Sequence, residues 1–196
     1  CFSKANNGIF CVSQNYRYNS VERTIQRLLS NPEDPFYLGC PFLLDYVHHR
    51  VRPFPQNLNY PFASVWDMSC HHFDNLLFWF GSVEEVTAHS FAPSWSHYKY
   101  QNNNCALVRF SNGVVVNYIH THDASRGEFG LSLHGERGAL VGRVLDRTST
   151  TSGLVEMTFS PRPQTQFGLE IEKPVPFSPN KGESGVLEDF YGYIVH

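Results

Sequence analysis

A chain of 196 residues with 41% hydrophobic and 15% aromatic content holds enough apolar material for one well-packed domain. A formal net charge of -3, with no run of Lys or Arg, offers no field to hold a phosphate backbone and argues against a nucleic-acid partner. The longest apolar stretch, Leu76 to Phe80, falls far short of the roughly 20 residues of a membrane span, so a soluble protein without a membrane partner is expected.

In chain order, the first expected strand is Ile9 to Gln14. The turn Asn15-Tyr16-Arg17-Tyr18 follows, then a helix near Ser20 to Leu29, with Ile25, Leu28 and Leu29 at helical spacing and Ser20 as N-cap. Asn31-Pro32-Glu33-Asp34-Pro35 breaks that helix, and the apolar run Phe36 to Val47, interrupted by Gly39 and Pro41, reads as extended. Pro53, Pro55 and Pro61 mark a loop. Ser64 then caps a second helix that runs to Phe80 and stops at Gly81, the residue type suited to a left-handed terminus. Beyond it the pattern changes to strands at Val83 to Phe91, Cys105 to Phe110, Val114 to His122, Phe129 to His134 and Ala139 to Arg143. Turns at Ser111-Asn112-Gly113, Ser125-Arg126-Gly127 and Gly135-Glu136-Arg137-Gly138 join them into an antiparallel meander. Extended segments at Leu154 to Phe159 and Phe167 to Ile171 precede a Pro-rich link, Lys173 to Pro179, and Gly185 to His196 opens a last helix.

Helices first and strands later, without alternation, give an α+β class: an open, mainly antiparallel β-sheet with helices packed on one face. The five cysteines, Cys1, Cys11, Cys40, Cys70 and Cys105, contain no Cys-x-x-Cys pair and read as reduced core thiols of a cytoplasmic protein. A start at Cys1 and a stop at His196 inside an apparent helix read as an excised piece, truncated at its C-terminus.

The most informative segment is Trp66-Asp67-Met68-Ser69-Cys70-His71-His72-Phe73-Asp74. At about 100° per residue, Asp67, His71 and Asp74 share a narrow arc, while Val65, Phe73, Leu76, Leu77 and Phe80 gather on the opposite one, with His72 toward the apolar side. An amphipathic helix with a solvated polar face has the same stripe. A solvated face usually carries Lys, Glu or Arg, however, and this one carries short acids and an imidazole, the groups of proton transfer. A carboxylate one turn from a histidine also stabilises the imidazolium.

This Asp-x-x-x-His-x-x-Asp helix resembles that of the C-terminal domain of the glucose-fructose oxidoreductase, inositol dehydrogenase and MocA (Gfo/Idh/MocA) family, with Ser69 in the family's Gly place. Asn15-Tyr16-Arg17-Tyr18 is similar to the family's domain-junction motif, and Phe80 to Ala88 to its helix-to-sheet crossing. Ser111-Asn112-Gly113-Val114 and Leu133 to Leu140 resemble its later strand turns in order. Where the family usually has a glycine-rich run before the helix, this chain has Tyr60-Pro61-Phe62-Ala63-Ser64.

The resemblance implies the catalytic and substrate-binding half of an NAD(P)-dependent oxidoreductase that moves hydride between a sugar or polyol carbon and nicotinamide. Residues 1–18 would end a nucleotide-binding half and form the junction, and residues 19–196 would form the substrate-binding and oligomerisation domain. His71 is expected as general base, Asp67 as the group positioning substrate and imidazole, and Asp74 as the binder of a second hydroxyl. Arg17 and His49 are candidate further substrate contacts. No Gly-x-Gly-x-x-Gly occurs, and Glu172-Lys173-Pro174 comes too late for the family's Glu-Lys-Pro motif. NAD or NADP is therefore expected to bind an N-terminal dinucleotide-binding partner domain and not this piece, and a homo-oligomer is expected through the sheet.

Two other classes stay open at this level. His120, His122 and Asp123, with His48, His49, His71 or His72, are residue types that assemble a metal-dependent hydrolase. A structural or oligomerisation domain without catalysis is the other.

Overall fold

The computed structural model describes residues 14–52, 57–143, 156–163 and 171–195, with side chains described as far as Asp189. The expected strand at 9–14 lies outside these residues except for Gln14, and the one at 167–171 except for Ile171.

A 3-10 turn, Asn15–Tyr18, leads into α1, Ser20–Ser30. Ser20 is the first helical residue and not the cap; Asn19 holds that place in an extended conformation, with no side-chain cap bond. Ile25 and Leu28, essentially unexposed, point α1 into the core as their spacing requires. The first strand, β1, is Pro41–Val51. It begins later than the apolar run because Asp34 accepts from Phe36 N–H and from its own chain's Tyr37 N–H through the backbone carbonyl, closing a turn there.

The second helix is divided. Val65–Ser69 is wound as a π turn, and the α-helix proper, α2, is Cys70–Phe80. Ser64 has helical dihedrals and caps nothing: its N–H donates to Asn102 Oδ1, and its Oγ accepts from Asn104 Nδ2 at 2.7 Å. Gly81 ends α2 with φ 84°, and its N–H donates to the Leu77 carbonyl. The buried stripe of α2 is His72, Asn75, Leu76 and Phe80, while Leu77, expected inside, is exposed.

Seven strands follow: β2 Val83–Phe91, β3 Asn103–Phe110, β4 Val115–Thr121, β5 Asp123–Gly135, β6 Gly138–Arg143, β7 Glu156–Pro161 and β8 Lys173–Pro174. They form one sheet in the order β2-β3-β4-β1-β5-β6-β7-β8. The expected meander is interrupted, because β1 inserts between β4 and β5, parallel to β4 and antiparallel to β5. Its alternate residues explain the central place: Leu44, Tyr46 and His48 are buried, register with Val116, Tyr118 and His120 on one side, and with Leu133, Leu131 and Phe129 on the other. Ser125-Arg126-Gly127 is not a hairpin turn but lies inside β5. It bulges where residues 124–127 oppose Arg50 alone, between the pairs Val51–Asp123 and His49–Glu128.

The sheet's inner face carries the core under α1 and α2. The Pro-rich link includes β8, and Ser178 N–H then donates to Thr24 Oγ1, pinning the link to α1. The last helix, α3, is Gly182–Val195, starting three residues before its expected place. Of the cysteines, Cys40 is exposed and Cys70 and Cys105 are half-buried, so they are not core thiols. No helix of the described residues is long and apolar enough to cross a membrane.

Candidate active site

The 3-10 turn and α2 meet side by side. Tyr16 lies flat on the His71 ring, with centroids 4.2 Å apart and planes 10° from parallel. One residue on, Arg17 grips Asp74 with both arms: Nε donates to Oδ2 at 2.9 Å, and Nη2 to Oδ1. Arg17 also lies over the Phe78 ring. Both Asp74 oxygens are thereby engaged, and a bidentate guanidinium–carboxylate pair fixes the junction turn on the helix. From the other side α3 and the residue before it support the same turn: Lys181 N–H donates to the Tyr18 carbonyl, and Gly185 lies so close to Tyr18 that a Cβ there would stand 2.4 Å from the ring.

His71 is half-buried, and its Nδ1 is buried with no hydrogen-bond partner among the described residues. Burial lowers its pKa below the ordinary histidine value, against the opposing pull of Asp74 and then Asp67. The ring is therefore neutral near pH 7.

Asp67, one turn before His71, is not bonded to it. The π winding turns its carboxylate toward the end of β1, where Arg52 Nη2 pairs with Oδ2. Arg50 Nη1 stands 4.0 Å and His122 Nε2 3.7 Å from the same oxygen. His49 is not brought to this cleft. Strand alternation puts it on the outer face of the sheet, opposite to His48, where Nδ1 lies 3.5 Å from Glu128 Oε2.

Beneath α2 runs a chain of polar groups that period and spacing did not reveal as one unit. His48 Nδ1 meets His72 Nε2 at 3.0 Å, and His72 Nδ1 meets Tyr118 Oη at 2.8 Å. Tyr118 O–H donates to Ser69 Oγ at 2.8 Å, and Ser69 Oγ meets His120 Nδ1 at 2.9 Å. Burial holds His48 and His122 down to about 3, and His72 and His120 well below the ordinary value, so all four are neutral. Among the described residues no group of three or more His, Cys, Asp or Glu stands ready to hold a metal, and both nitrogens of His72 are already used. These histidines form a hydrogen-bonded support for α2. The signal for it was the alternation Tyr46, His48, Arg50 on one face of β1, continued by Arg52 just past its end; the partner strand carrying His120 could be matched to it only through the parallel pairing.

Beside this chain, Tyr16, Glu22, Tyr46, His48, His72 and Asn180 line a cavity of about 300 Å³. Burial raises the Glu22 carboxyl to about 7. A dinucleotide finds no cradle in these residues: α1 is entered through Asn15–Asn19 and α2 through Tyr60–Ser64, neither a glycine turn following a strand.

Residues 39–141, more than half of the chain, match the GFO/IDH/MocA C-terminal domain. No curated protein matches the sequence. The fold is similar to that of an oxidoreductase from Bacillus cereus, with a TM-score of 0.74 at 14% identity over 100% of this chain and 69% of that one. It is also similar to UDP-N-acetylglucosamine 3-dehydrogenase GnnA from Acidithiobacillus ferrooxidans, with a TM-score of 0.69 at 14% identity over 98% of this chain and 55% of that one. A third similar structure is an oxidoreductase from Agrobacterium radiobacter in complex with NAD+, L-tartaric acid and magnesium, with a TM-score of 0.65 at 16% identity over 90% of this chain and 48% of that one. At these identities the likeness is one of fold, and the chain spans only about half the length of the last two. The match of residues 39–141, together with the open, mostly antiparallel sheet, makes the chain a member of the Gfo/Idh/MocA oxidoreductase family, spanning its C-terminal domain.

Proposed function

We propose that this domain is the substrate-binding and proton-accepting half of an NAD(P)-dependent oxidoreductase acting on a CH–OH group of a sugar or polyol. The observation that carries the reading is His71: a neutral, partly exposed imidazole, stacked on the junction residue Tyr16. In the reaction His71 takes the proton of the substrate hydroxyl as its carbon is oxidised. Asp67 stands on the same helix beside it, and Asp74 acts through Arg17, keeping Tyr16 against the base. Gripped by Arg17 on both its oxygens, Asp74 serves as a positioning residue. The similar structures support the class, since one carries NAD+ and another is a nucleotide-sugar dehydrogenase. The described residues do not fit a dinucleotide, so the cofactor belongs to a partner domain that residues 1–18 would join.

The test is NAD+ and NADP+ reduction by the two-domain protein over a panel of sugars, polyols and their acids. Turnover of at least one is expected, and Asp67→Asn should lower kcat about 10–100-fold while leaving cofactor affinity unchanged. Cofactor binding without oxidation of any alcohol would turn the reading toward a purely structural domain.

A further inference from the structure

The end of β1 carries more positive charge than its one visible partner uses. Alternation sends Arg50 and Arg52 to the inner face with Tyr46 and His48, and both converge on a single oxygen, Asp67 Oδ2. Arg52 pairs with it, but Arg50 Nη1 at 4.0 Å and His122 Nε2 at 3.7 Å are beyond hydrogen-bond reach, and both atoms are buried without a partner among the described residues. His122 is 3% exposed, and its Nδ1 lies 3.4 Å from Tyr98 Oη. If that hydroxyl donates to Nδ1, the neutral ring carries its proton on Nε2, as a donor directed at the same spot. The neighbouring carboxylate cannot supply the missing acceptor, because Asp123 is held by Ser96 Oγ and Asn103 Nδ2. Two guanidinium charges and a neutral N–H donor thus surround one carboxylate that is itself 42% exposed on its side chain.

We propose that Arg50, Arg52 and His122 form an anion subsite, so that the substrate is an acidic sugar or polyol bearing a compact oxyanion, a carboxylate or a phosphate. The inference rests on the reading of His71 as the base. Guanidinium groups suit such an oxyanion because their planar donors bind two of its oxygens at once. The spacing fits as well. Asp67 marks the subsite and stands one helical turn, about 6 Å, from His71, a distance that a few carbon–carbon bonds span between an acid group and the reacting carbinol. Arg52 exchanges Asp67 for the ligand, which releases Asp67 toward the substrate hydroxyls.

The experiment is calorimetric titration of the protein with D-glucuronate, glucose 6-phosphate and glucose, which needs no turnover, together with kcat/KM for whichever is oxidised. At least one anion should bind 10-fold or more tightly than glucose, and the carboxylate and phosphate arms separate the two sources. In Arg50→Gln and Arg52→Gln the anion-to-glucose ratio of affinities should collapse toward one, through KM and not kcat, with partial return in Arg50→Lys and Arg52→Lys. Equal binding of all three probes, no binding of either anion, or variants that weaken every probe alike would overturn the subsite and make the arginines mere anchors of Asp67. Anion binding that depends on the arginines without any oxidation would uphold the subsite and sink the oxidoreductase reading; His71-dependent oxidation of neutral sugars alone would do the reverse.

Discussion

Four buried histidines, His48, His72, His120 and His122, are kept neutral by desolvation, and this has a cost when the pH falls. In the unfolded chain each takes up a proton near 6.5; in the fold, His48 and His122 do so only near 3. Their contribution to stability is therefore complete above about 6.5 and is lost as the pH falls toward 3. Glu22 works in the opposite sense: its folded value of about 7 lies above the ordinary 4.5, so its contribution is complete below 4.5 and is lost as the pH rises through 7. Four groups outweigh one between pH 6.5 and 4.5, so the domain should lose stability through that window. Urea midpoints at pH 7.5 and 5.5 check this; a midpoint that holds or rises at 5.5 would mean that the histidines are not buried as a neutral set. Glu22→Gln should raise the midpoint at pH 7.5 and change it little at pH 4.5.

The π turn Val65–Ser69 decides what α2 presents. It brings Ser69 between Tyr118 and His120, where a straight α-helix from Ser64 was expected. Ser69→Ala would leave His120 Nδ1 buried without its partner and Tyr118 Oη with His72 alone, and a loss of about 1–3 kcal/mol is expected in urea unfolding. A loss under about 0.5 kcal/mol would show that the chain of polar groups does not brace the helix. The second helix, its end at Gly81 and the strands after it were legible from period and turn residues, because each is set by neighbours in sequence. The insertion of β1 between β4 and β5 was not, since strand order is decided by which apolar faces meet, and Leu44, Tyr46 and His48 find theirs on strands 70 or more residues away. The same limit applies to the site. His71 and Asp74 could be read off the helix, and Arg17 off the junction motif, but the Arg17–Asp74 pair, the Tyr16 stack and the convergence of Arg50, Arg52 and His122 on Asp67 are contacts between distant segments. His49 differs from its expected place for a local reason: one residue's shift along a strand exchanges faces.

Helices α1 and α2 cover the inner face of the sheet except at β2, which is exposed on both faces, and the outer face bears Phe42 and Leu107, both more than half exposed, along with Val47, Ile119 and Val141. Apolar residues on an open sheet face favour packing against a second copy. We therefore expect sedimentation at micromolar concentration to give a dimer or larger assembly, and Leu107→Lys to shift it toward monomer. A wild-type monomer at that concentration would count against the sheet as interface.

The proposed oxidation depends on His71 as proton acceptor. The most direct measurement is the pH dependence of kcat/KM for alcohol oxidation by the two-domain protein, with His71 intact and as His71→Ala. Because burial lowers the pKa of His71, protonation should shut off the wild-type rate only below the ordinary histidine value of 6.5. The variant should fall by about 10²–10⁴-fold at neutral pH and lose that acid limb. Full turnover in His71→Ala, with the acid limb unmoved, would contradict the assignment and return the helix face to solvent.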